Sequence, residues 1–297
     1  MYSQITSNKR KSFFLIFFFI LFILLLGWIF GKITGYGYGG LIMAIVISLM
    51  MALVSYYKGD KIALSVSGAK PIKKEENPYV YRLVENLCIA AGLPAPKIYL
   101  IPDQAMNAFA CGRDPRRSSI ALTTGIVEKL ENEELEGVIS HELSHIKNFD
   151  IKLMTITAVL AGVIVLLSDW MMRSFLWGGN RRRGKEGGQI MAIFLIIGLI
   201  LAILSPLIAQ IIQLTISRKR EFLADADAAL LTRYPEGLAR ALEKISQSPP
   251  VQKASNATAH LYIASPFGKK KSWLTKLFST HPPIEERVNA LRKMIKN

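Results

Sequence analysis

The chain has 297 residues, of which 37 are Lys or Arg and 22 are Asp or Glu, so its formal net charge is +15. Apolar residues make up 51% of the chain. This composition excludes intrinsic disorder, because a disordered chain has few apolar residues per charge. Two cysteines, Cys88 and Cys111, are too few for a disulfide framework, so a disulfide-stapled secreted domain is excluded as well.

The apolar residues are concentrated in four segments, which run over residues 13–30, 41–57, 153–172 and 190–216. The first has no charged residue, and an uncharged helix of this length crosses a hydrocarbon layer of roughly 30 Å. A buried core helix is the alternative for each segment and is strongest for the third, which contains polar residues. The first segment is longer than the core of a signal peptide and lacks a cleavage site, so we expect an uncleaved anchor.

The basic residues predict how the chain is oriented in the membrane. Lys9, Arg10 and Lys11 precede the first segment and place the N-terminus in the cytoplasm. Two crossings then return the chain to the cytoplasm at Lys58. The third and fourth segments are joined by a basic connection, so they either cross as a hairpin or are embedded without crossing. The basic residues that give the chain its net charge thus flank the membrane segments. This position indicates contact with an anionic bilayer and argues against nucleic acid binding.

Four regions follow from this pattern: a membrane anchor at 1–57, a first cytoplasmic piece at 58–152, a hydrophobic hairpin at 153–216 and a second cytoplasmic piece at 217–297. The first piece predicts a helix from Pro78 to Gly92, three strands and a helix capped by Asn132. The predicted strands are residues 97–101, 107–111 and 119–123. The second piece predicts helices at 220–231, 235–247 and 284–295. The expected fold is a mainly α membrane protein with a cytoplasmic α+β domain.

The helix after Asn132 contains the sequence H-E-L-S-H at residues 141–145. Residues four apart lie one turn apart on one face, so His141 and His145 can reach one cation. Glu142 lies beside that position, where it can take a proton from water at the metal. Unrelated surface histidines are the alternative, but half of the chain's 4 histidines fall in this pentapeptide.

A catalytic zinc site needs a third protein ligand and an open position for water. Glu221 is the best candidate, because it lies on a helix directly after the fourth apolar segment. Asp225, one turn further on, can accept the outer N–H of a zinc-bound imidazole. The alternative for Glu221 is a surface pair with Arg218, and Asp225 needs no metal to occur on a helix. His145 and Glu221 can share an ion only if the chain between them returns to the same membrane side.

The ordered set of motifs resembles the HtpX family of membrane-bound zinc metalloproteases, which are bacterial relatives of the CAAX prenyl endopeptidases. Two N-terminal spans and a hydrophobic hairpin accompany the motifs N-A-F-A-C-G at 107–112, H-E-L-S-H at 141–145, S-R-K-R-E-F-L-A-D at 217–225 and T-H-P-P at 280–283. The resemblance implies a zincin-like domain with one zinc ion per subunit, bound by His141, His145 and Glu221. It also implies that Glu142 is the catalytic base.

By the same resemblance, the protein is a multi-pass protein of the cell membrane that works in quality control. Its expected substrates are misfolded or damaged membrane proteins and unfolded polypeptides, cut at the cytoplasmic face. Four apolar segments do not form the closed chamber of the CAAX-processing relatives, which argues against prenyl-peptide processing.

Further residues acquire roles from the predicted centre. A peptide substrate commonly binds a zinc protease as an added strand on a sheet edge, and residues Asn107, Ala108, Phe109 and Ala110 are the candidate strand. An ordinary hairpin strand is the alternative. His281 is expected to donate to the oxyanion of the tetrahedral intermediate. Arg218 is expected to neutralise charge around Asp225.

Two other functions remain open at this point. A membrane protein that binds or transports zinc explains the apolar segments and the histidines but gives no reason for Glu142. It would also prefer ligands inside a span, where polar side chains mark ion pathways. A structural scaffold with a closed zinc site needs a fourth protein ligand, which His260 or His281 could provide.

Overall fold

The computed structural model describes residues 2–34, 37–178, 218–255, 257–268 and 281–295. The fourth predicted apolar segment, residues 190–216, lies outside the described residues. The helices are α1 Tyr2–Thr34, α2 Tyr38–Val66, α3 Pro78–Ala91, α4 Thr124–Lys129, α5 Asn132–Lys147, α6 Asp150–Gly178, α7 Arg218–Thr232, α8 Pro235–Ser246 and α9 Ile284–Ile295. The strands are β1 Lys70–Pro71, β2 Lys97–Ile101, β3 Ala108–Asp114 and β4 Arg117–Thr123.

Helices α1 and α2 are long and apolar enough to cross a membrane, over Ile5–Ile29 and Tyr38–Val66. Small residues form their contact: Gly27 and Gly31 of α1 pack against Gly40 of α2 so closely that a side chain at either position would meet the facing helix. Such contacts are typical of helices that pack in lipid. Large apolar side chains cover the outer faces, namely Phe13, Phe14, Phe17, Phe18, Ile42, Val46, Met50 and Leu53.

The third predicted apolar segment, residues 153–172, lies within α6. Its side chains Ile156, Leu160 and Ile164 pack against Phe19 and Ile23 of α1. Helix α6 therefore begins in the polar domain at Asp150 and continues alongside the hairpin of α1 and α2. This arrangement brings the start of α6, five residues after His145, next to the first turns of α1.

The polar domain is built on a mixed sheet in the order β1–β2–β4–β3. Strands β2 and β4 are parallel, whereas β3 pairs with β4 in the antiparallel sense and forms the edge. The prediction of three strands was wrong in number, because β1 has 2 residues and is too short to show a hydrophobic alternation. The second strand was also displaced, since β3 begins at Ala108 and continues to Asp114.

Helix α5 packs against the sheet and carries the H-E-x-x-H motif. Its predicted apolar side is buried, with Leu135, Val138, Ile139, Leu143 and Ile146 each at most 1% exposed. Asn132 is not its cap. The helix follows Glu131, whose backbone N–H donates to the Glu134 side chain at 2.9 Å, so the first turn closes on itself as in a capping box.

The helices of the C-terminal part close the core around α5. A glycine on α5, Gly137, permits a close approach of α8, because a β-carbon there would lie 2.8 Å from the backbone of Leu238. Helix α9 covers the predicted range 284–295 and buries Val288 and Leu291. Helix α7 also packs against α5, and α9 packs against α7 and α8.

Candidate metal centre

Two helices bring three potential metal ligands together. His141 and His145 lie one turn apart on α5, and Glu221 lies in the first turn of α7; all three are buried. The Nε2 atoms of the two imidazoles are 3.1 Å apart. Glu221 lies 3.6 Å from Nε2 of His145 through Oε1 and 3.8 Å from Nε2 of His141 through Oε2.

These distances fit a single small cation. Tetrahedral ligands about 2.0–2.1 Å from a zinc ion are separated from each other by roughly 3.4 Å, close to the three separations observed. One nitrogen of each imidazole and one carboxylate oxygen lie within 4.8 Å of one another. Oε1 of Glu221 is also buried and, among the described residues, has no hydrogen-bond partner. Because burying an unpaired carboxylate oxygen is costly, the donor set suits a metal ion.

The second nitrogen of His141 is held by a buried ion pair. Nδ1 of His141 lies 2.9 Å from Oδ1 of Asp225, one turn after Glu221 on α7. Arg287 of α9 binds the same carboxylate through both of its oxygens, at 2.7 and 2.8 Å, and is itself fully buried. A carboxylate that accepts the Nδ1–H fixes the tautomer in which Nε2 has a free lone pair.

His145 is held in the same way by a residue of α6. Its Nδ1 lies 3.0 Å from Oδ2 of Asp150, the first residue of that helix. The other oxygen, Oδ1, lies 3.2 Å from a guanidinium nitrogen of Arg220. Both imidazoles therefore present Nε2 to Glu221, and each has a carboxylate behind it.

Burial and the surrounding charges shift the pKa values of the two imidazoles in opposite directions. Burial lowers the pKa of His141 to about 4. Burial acts on His145 in the same direction, but the hydrogen bond to Asp150 and the charge of Glu221 outweigh it and raise the pKa to about 9. Burial alone would raise the pKa of Glu221, yet His281 and its other positive neighbours hold it well below its ordinary value. Because ligands bind a metal in deprotonated form, metal binding at such a cluster depends on pH.

Glu142 has the properties of a proton acceptor beside this cluster. It is 1% exposed, and the backbone N–H of Ala110 in β3 donates to its carboxylate. Burial raises the pKa of Glu142 to about 7, and the charge of His145 opposes that shift. A carboxyl group that titrates near neutral pH can both accept a proton and return it.

The structure places the other predicted site residues as follows. His281 lies with Nδ1 2.9 Å from Oε2 of Glu221, so it is adjacent to the ligand cluster. Arg218 is exposed, and the predicted role of neutralising Asp225 falls to Arg287. The role predicted for Arg218 was wrong, because helix α9, 62 positions further along the chain, supplies the positive charge beside Asp225. His260 contacts the carbonyl of Met154 at 3.0 Å.

The candidate substrate residues lie at the edge of the sheet nearest to α5. Asn107 precedes β3, and its side chain donates to the carbonyl of Ala264 at 3.1 Å. The carbonyl of Ala108 accepts from the backbone N–H of Ile263 at 2.9 Å. The N–H of Ala110 faces Glu142. The outward carbonyl of Ala108 and the N–H of Ala110 are therefore already engaged within the protein, and a peptide strand that paired with Ala108 would have to replace Ile263.

Two residues that support the centre, Arg287 and Asp150, were not predicted from the sequence. Arg287 lies three residues after Ile284 and one before Val288, which places a charge on the apolar side of an amphipathic helix. That position signals a buried partner. Asp150 is an acidic residue at the start of an apolar segment, five residues after His145. Neither signal identifies the partner, since Arg287 and Asp225 are 62 positions apart and Asp150 meets His145 across the break between α5 and α6.

An H-E-x-x-H helix whose imidazoles converge with a carboxylate from a second helix, beside a buried glutamate, defines a metallopeptidase centre. The sequence model of peptidase family M48 matches residues 74–295. The chain is 47% identical over 294 residues to a protease HtpX homologue of Dictyoglomus turgidum, covering 99% of this chain and 94% of that protein. It is 44% identical to a protease HtpX homologue of Thermoanaerobacter pseudethanolicus, covering 99% of this chain and 98% of that protein.

The chain therefore belongs to peptidase family M48 and, within it, to the HtpX proteases. The fold is also similar to that of a solved relative, the crystal structure of S. mikatae Ste24p. The TM-score is 0.52 with 22% sequence identity, over 98% of this chain and 67% of that chain. The prediction of an HtpX-type membrane metalloprotease is confirmed at the level of family and class.

The contact between Asp225 and His141 predicts an effect on metal affinity. Asp225→Asn retains the shape of the side chain but removes the charge that holds Nδ1 of His141 and pairs with Arg287. We expect metal affinity to fall by about 10–100-fold, as is typical when such an outer carboxylate is lost. Competition with a chromophoric chelator measures this.

Asp227→Asn is the matched control for that prediction. Asp227 lies two residues further along α7, and its carboxylate contacts Ser144 and Asn148. Its substitution should leave metal affinity unchanged. An equal loss of affinity in both variants would show that the effect belongs to the helix in general.

Proposed function

We propose that the chain is a zinc-dependent endopeptidase that cuts misfolded or damaged membrane proteins at the cytoplasmic face of the cell membrane. The observation that carries the proposal is the convergence of His141, His145 and Glu221 on one point, with Glu142 buried beside them. Two imidazoles and one carboxylate are a ligand set that zinc prefers, and three protein ligands leave one position open.

The residues of the centre perform complementary tasks in peptide hydrolysis. His141, His145 and Glu221 would hold the zinc ion, which would supply a Lewis acid for the scissile carbonyl and for the attacking water. Glu142 accepts the proton of the attacking water and later passes it to the leaving amine. Asp225 and Asp150 hold the two imidazoles in their ligating tautomer. His281, adjacent to Glu221, is the proposed donor to the oxyanion.

The proposed orientation is supported by the position of the N-terminal basic cluster. Lys9 lies with Nζ 4.9 Å from the ring centroid of Phe149, four residues after His145. The start of α1 and the metal centre are therefore on the same side of the hairpin. Because basic residues that flank a first span favour the cytoplasm, the centre is proposed to face the cytoplasm. A centre at the base of a membrane hairpin is also well placed to meet chain that emerges from the bilayer.

Metal removal tests the proposal directly. Purified full-length protein in detergent should digest unfolded casein, and treatment with ortho-phenanthroline should stop the digestion. Zinc added after the chelator is removed should restore it. The non-chelating meta isomer serves as the control for effects on the detergent micelle. Undiminished digestion by protein that elemental analysis shows to be free of metal would contradict the proposal.

A further inference from the structure

We propose that Asn8, in the N-terminal membrane helix α1, is a positioning residue of the metal centre that acts through Asp150 on His145. Asn8 is 2% exposed although it lies next to Lys9 in a basic stretch. Its side-chain Nδ2 donates to Oδ1 of Asp150 at 2.6 Å and to the carbonyl of Asn148 at 3.0 Å. The proposal rests on the proposed zinc peptidase function and extends it, since α1 has so far been given only the role of an anchor.

The contact reaches the metal ligand in two steps. Oδ1 of Asp150 accepts the hydrogen bond from Asn8, and Oδ2 of the same carboxylate lies 3.0 Å from Nδ1 of His145. A carboxylate held on one oxygen cannot rotate freely about its terminal bond, so its other oxygen stays directed at the imidazole. Orientation of a ligating histidine by a hydrogen-bonded carboxylate, itself supported by further hydrogen bonds, determines how well the ligand is placed.

The chemistry of the amide suits this task. Arg220 approaches the same Oδ1 at 3.2 Å and already supplies positive charge. Asn8 adds a neutral donor, which orients Asp150 without further lowering the basicity that the carboxylate lends to His145. Neutral donors of this kind fix geometry with little change in charge.

The packing around Asn8 shows that this part of α1 belongs to the polar domain. One turn further along, Ser12 is 1% exposed and its hydroxyl donates to the carbonyl of Asn8 at 2.9 Å. Nδ2 of Asn8 also binds the backbone of Asn148, just after the end of α5. The first turns of α1 are thus held against the ends of the two elements that bear His145 and Asp150.

The test compares substitutions of Asn8 with a matched substitution of Ser12 in the full-length protein. Asn8→Ala removes the donor, and we expect the zinc dissociation constant to rise by about tenfold, the lower limit for loss of outer-shell support. Asn8→Asp is nearly isosteric but places a carboxylate against Asp150, so it should weaken zinc binding more than Asn8→Ala. Ser12→Ala keeps the Asn8 side chain and should bind zinc as the wild type does. Competition with a chromophoric chelator measures all four proteins.

Cobalt(II) substitution adds a readout that reports ligand geometry. Asn8→Ala should alter the visible d–d bands of the cobalt form, whereas Ser12→Ala should not. In an Asp150→Asn background, Asn8→Ala should have little further effect, because residues that act through one another are not additive. That cycle also decides the matter if Asn8→Asp does not fold.

Several outcomes would overturn the proposal. They are wild-type zinc affinity and cobalt spectra in both Asn8 variants, a loss in Ser12→Ala equal to that in Asn8→Ala, and full additivity with Asp150→Asn. A wild-type protein that binds no zinc would overturn the proposed function as well. Normal binding by the wild type, with unchanged binding by the variants, would remove only the role of Asn8.

Discussion

Glu142→Gln is expected to lower the rate of casein hydrolysis by about 10²–10⁴-fold, the usual contribution of a general base, while the metal stays bound. The amide has the shape of the carboxylate but cannot accept the proton of the attacking water. Glu142 is outside the cluster of His141, His145 and Glu221, so its substitution leaves the ligand set complete. Initial rates and the zinc content of the same preparations measure the two effects separately.

Glu134→Gln provides the matched control for this experiment. Glu134 lies on the same helix and is equally buried, but its partners are Lys244 and the backbone of Glu131, at the other end of α5. Its substitution should reduce stability and leave the rate per folded molecule intact. Substantial hydrolysis by a Glu142→Gln protein that contains one zinc per chain would refute the role of Glu142 as the base.

The sequence was most informative where the relevant contacts are local. The bounds of α3 and α9, the strand at 97–101 and the pairing of His141 with His145 all depend on spacing within one element. Spacing of this kind is visible in any single sequence, because helix and strand geometry impose a fixed period. Glu221 could be predicted as well, since it lies in the first turn of a polar helix that follows an apolar segment. Its convergence with α5 is a finding of the structure.

Apart from Asp225, which was predicted to accept the outer N–H of an imidazole, the support of the centre was not predicted, because most of its contacts join distant segments. Asn8 and Asp150 are 142 positions apart, and Asp225 and Arg287 are 62 positions apart. A single sequence contains no signal that pairs such residues, so a cation on the same helix, Arg218, was chosen in place of Arg287. The contact of Ile263 with the edge of β3 was missed for the same reason, since it depends on a tertiary contact. Strand β1 was missed because two residues are too few to show an alternation.

Arg287→Met is expected to cause the largest loss of stability among single substitutions outside the ligand set. Arg287 is fully buried and lies between two buried carboxylates, at 2.7 Å from Asp225 and 3.7 Å from Glu221. Met fills much of the same volume but leaves Asp225 without its counter-charge. Breaking a buried ion pair by removing one partner costs about 3–5 kcal/mol. For a chain of this size, that corresponds to a fall in melting temperature of roughly 6–20 °C.

Arg292→Met is the control that distinguishes the effect of a buried ion pair on stability from that of an exposed one. Arg292 lies on the same helix and binds both Glu236 and Glu243 at 2.8 Å, but its side chain is 42% exposed. Exposed pairs are screened by solvent and contribute little, so this variant should melt close to the wild type.

Arg287→Lys keeps the charge without the planar fork that binds Asp225 through both oxygens, so its melting temperature should fall between those of Arg287→Met and Arg292→Met. Thermal unfolding of the purified proteins in one detergent gives the comparison. Equal melting temperatures for Arg287→Met and Arg292→Met would show that the buried guanidinium does not stabilise the centre, and the charge balance inferred around His141 would then be wrong.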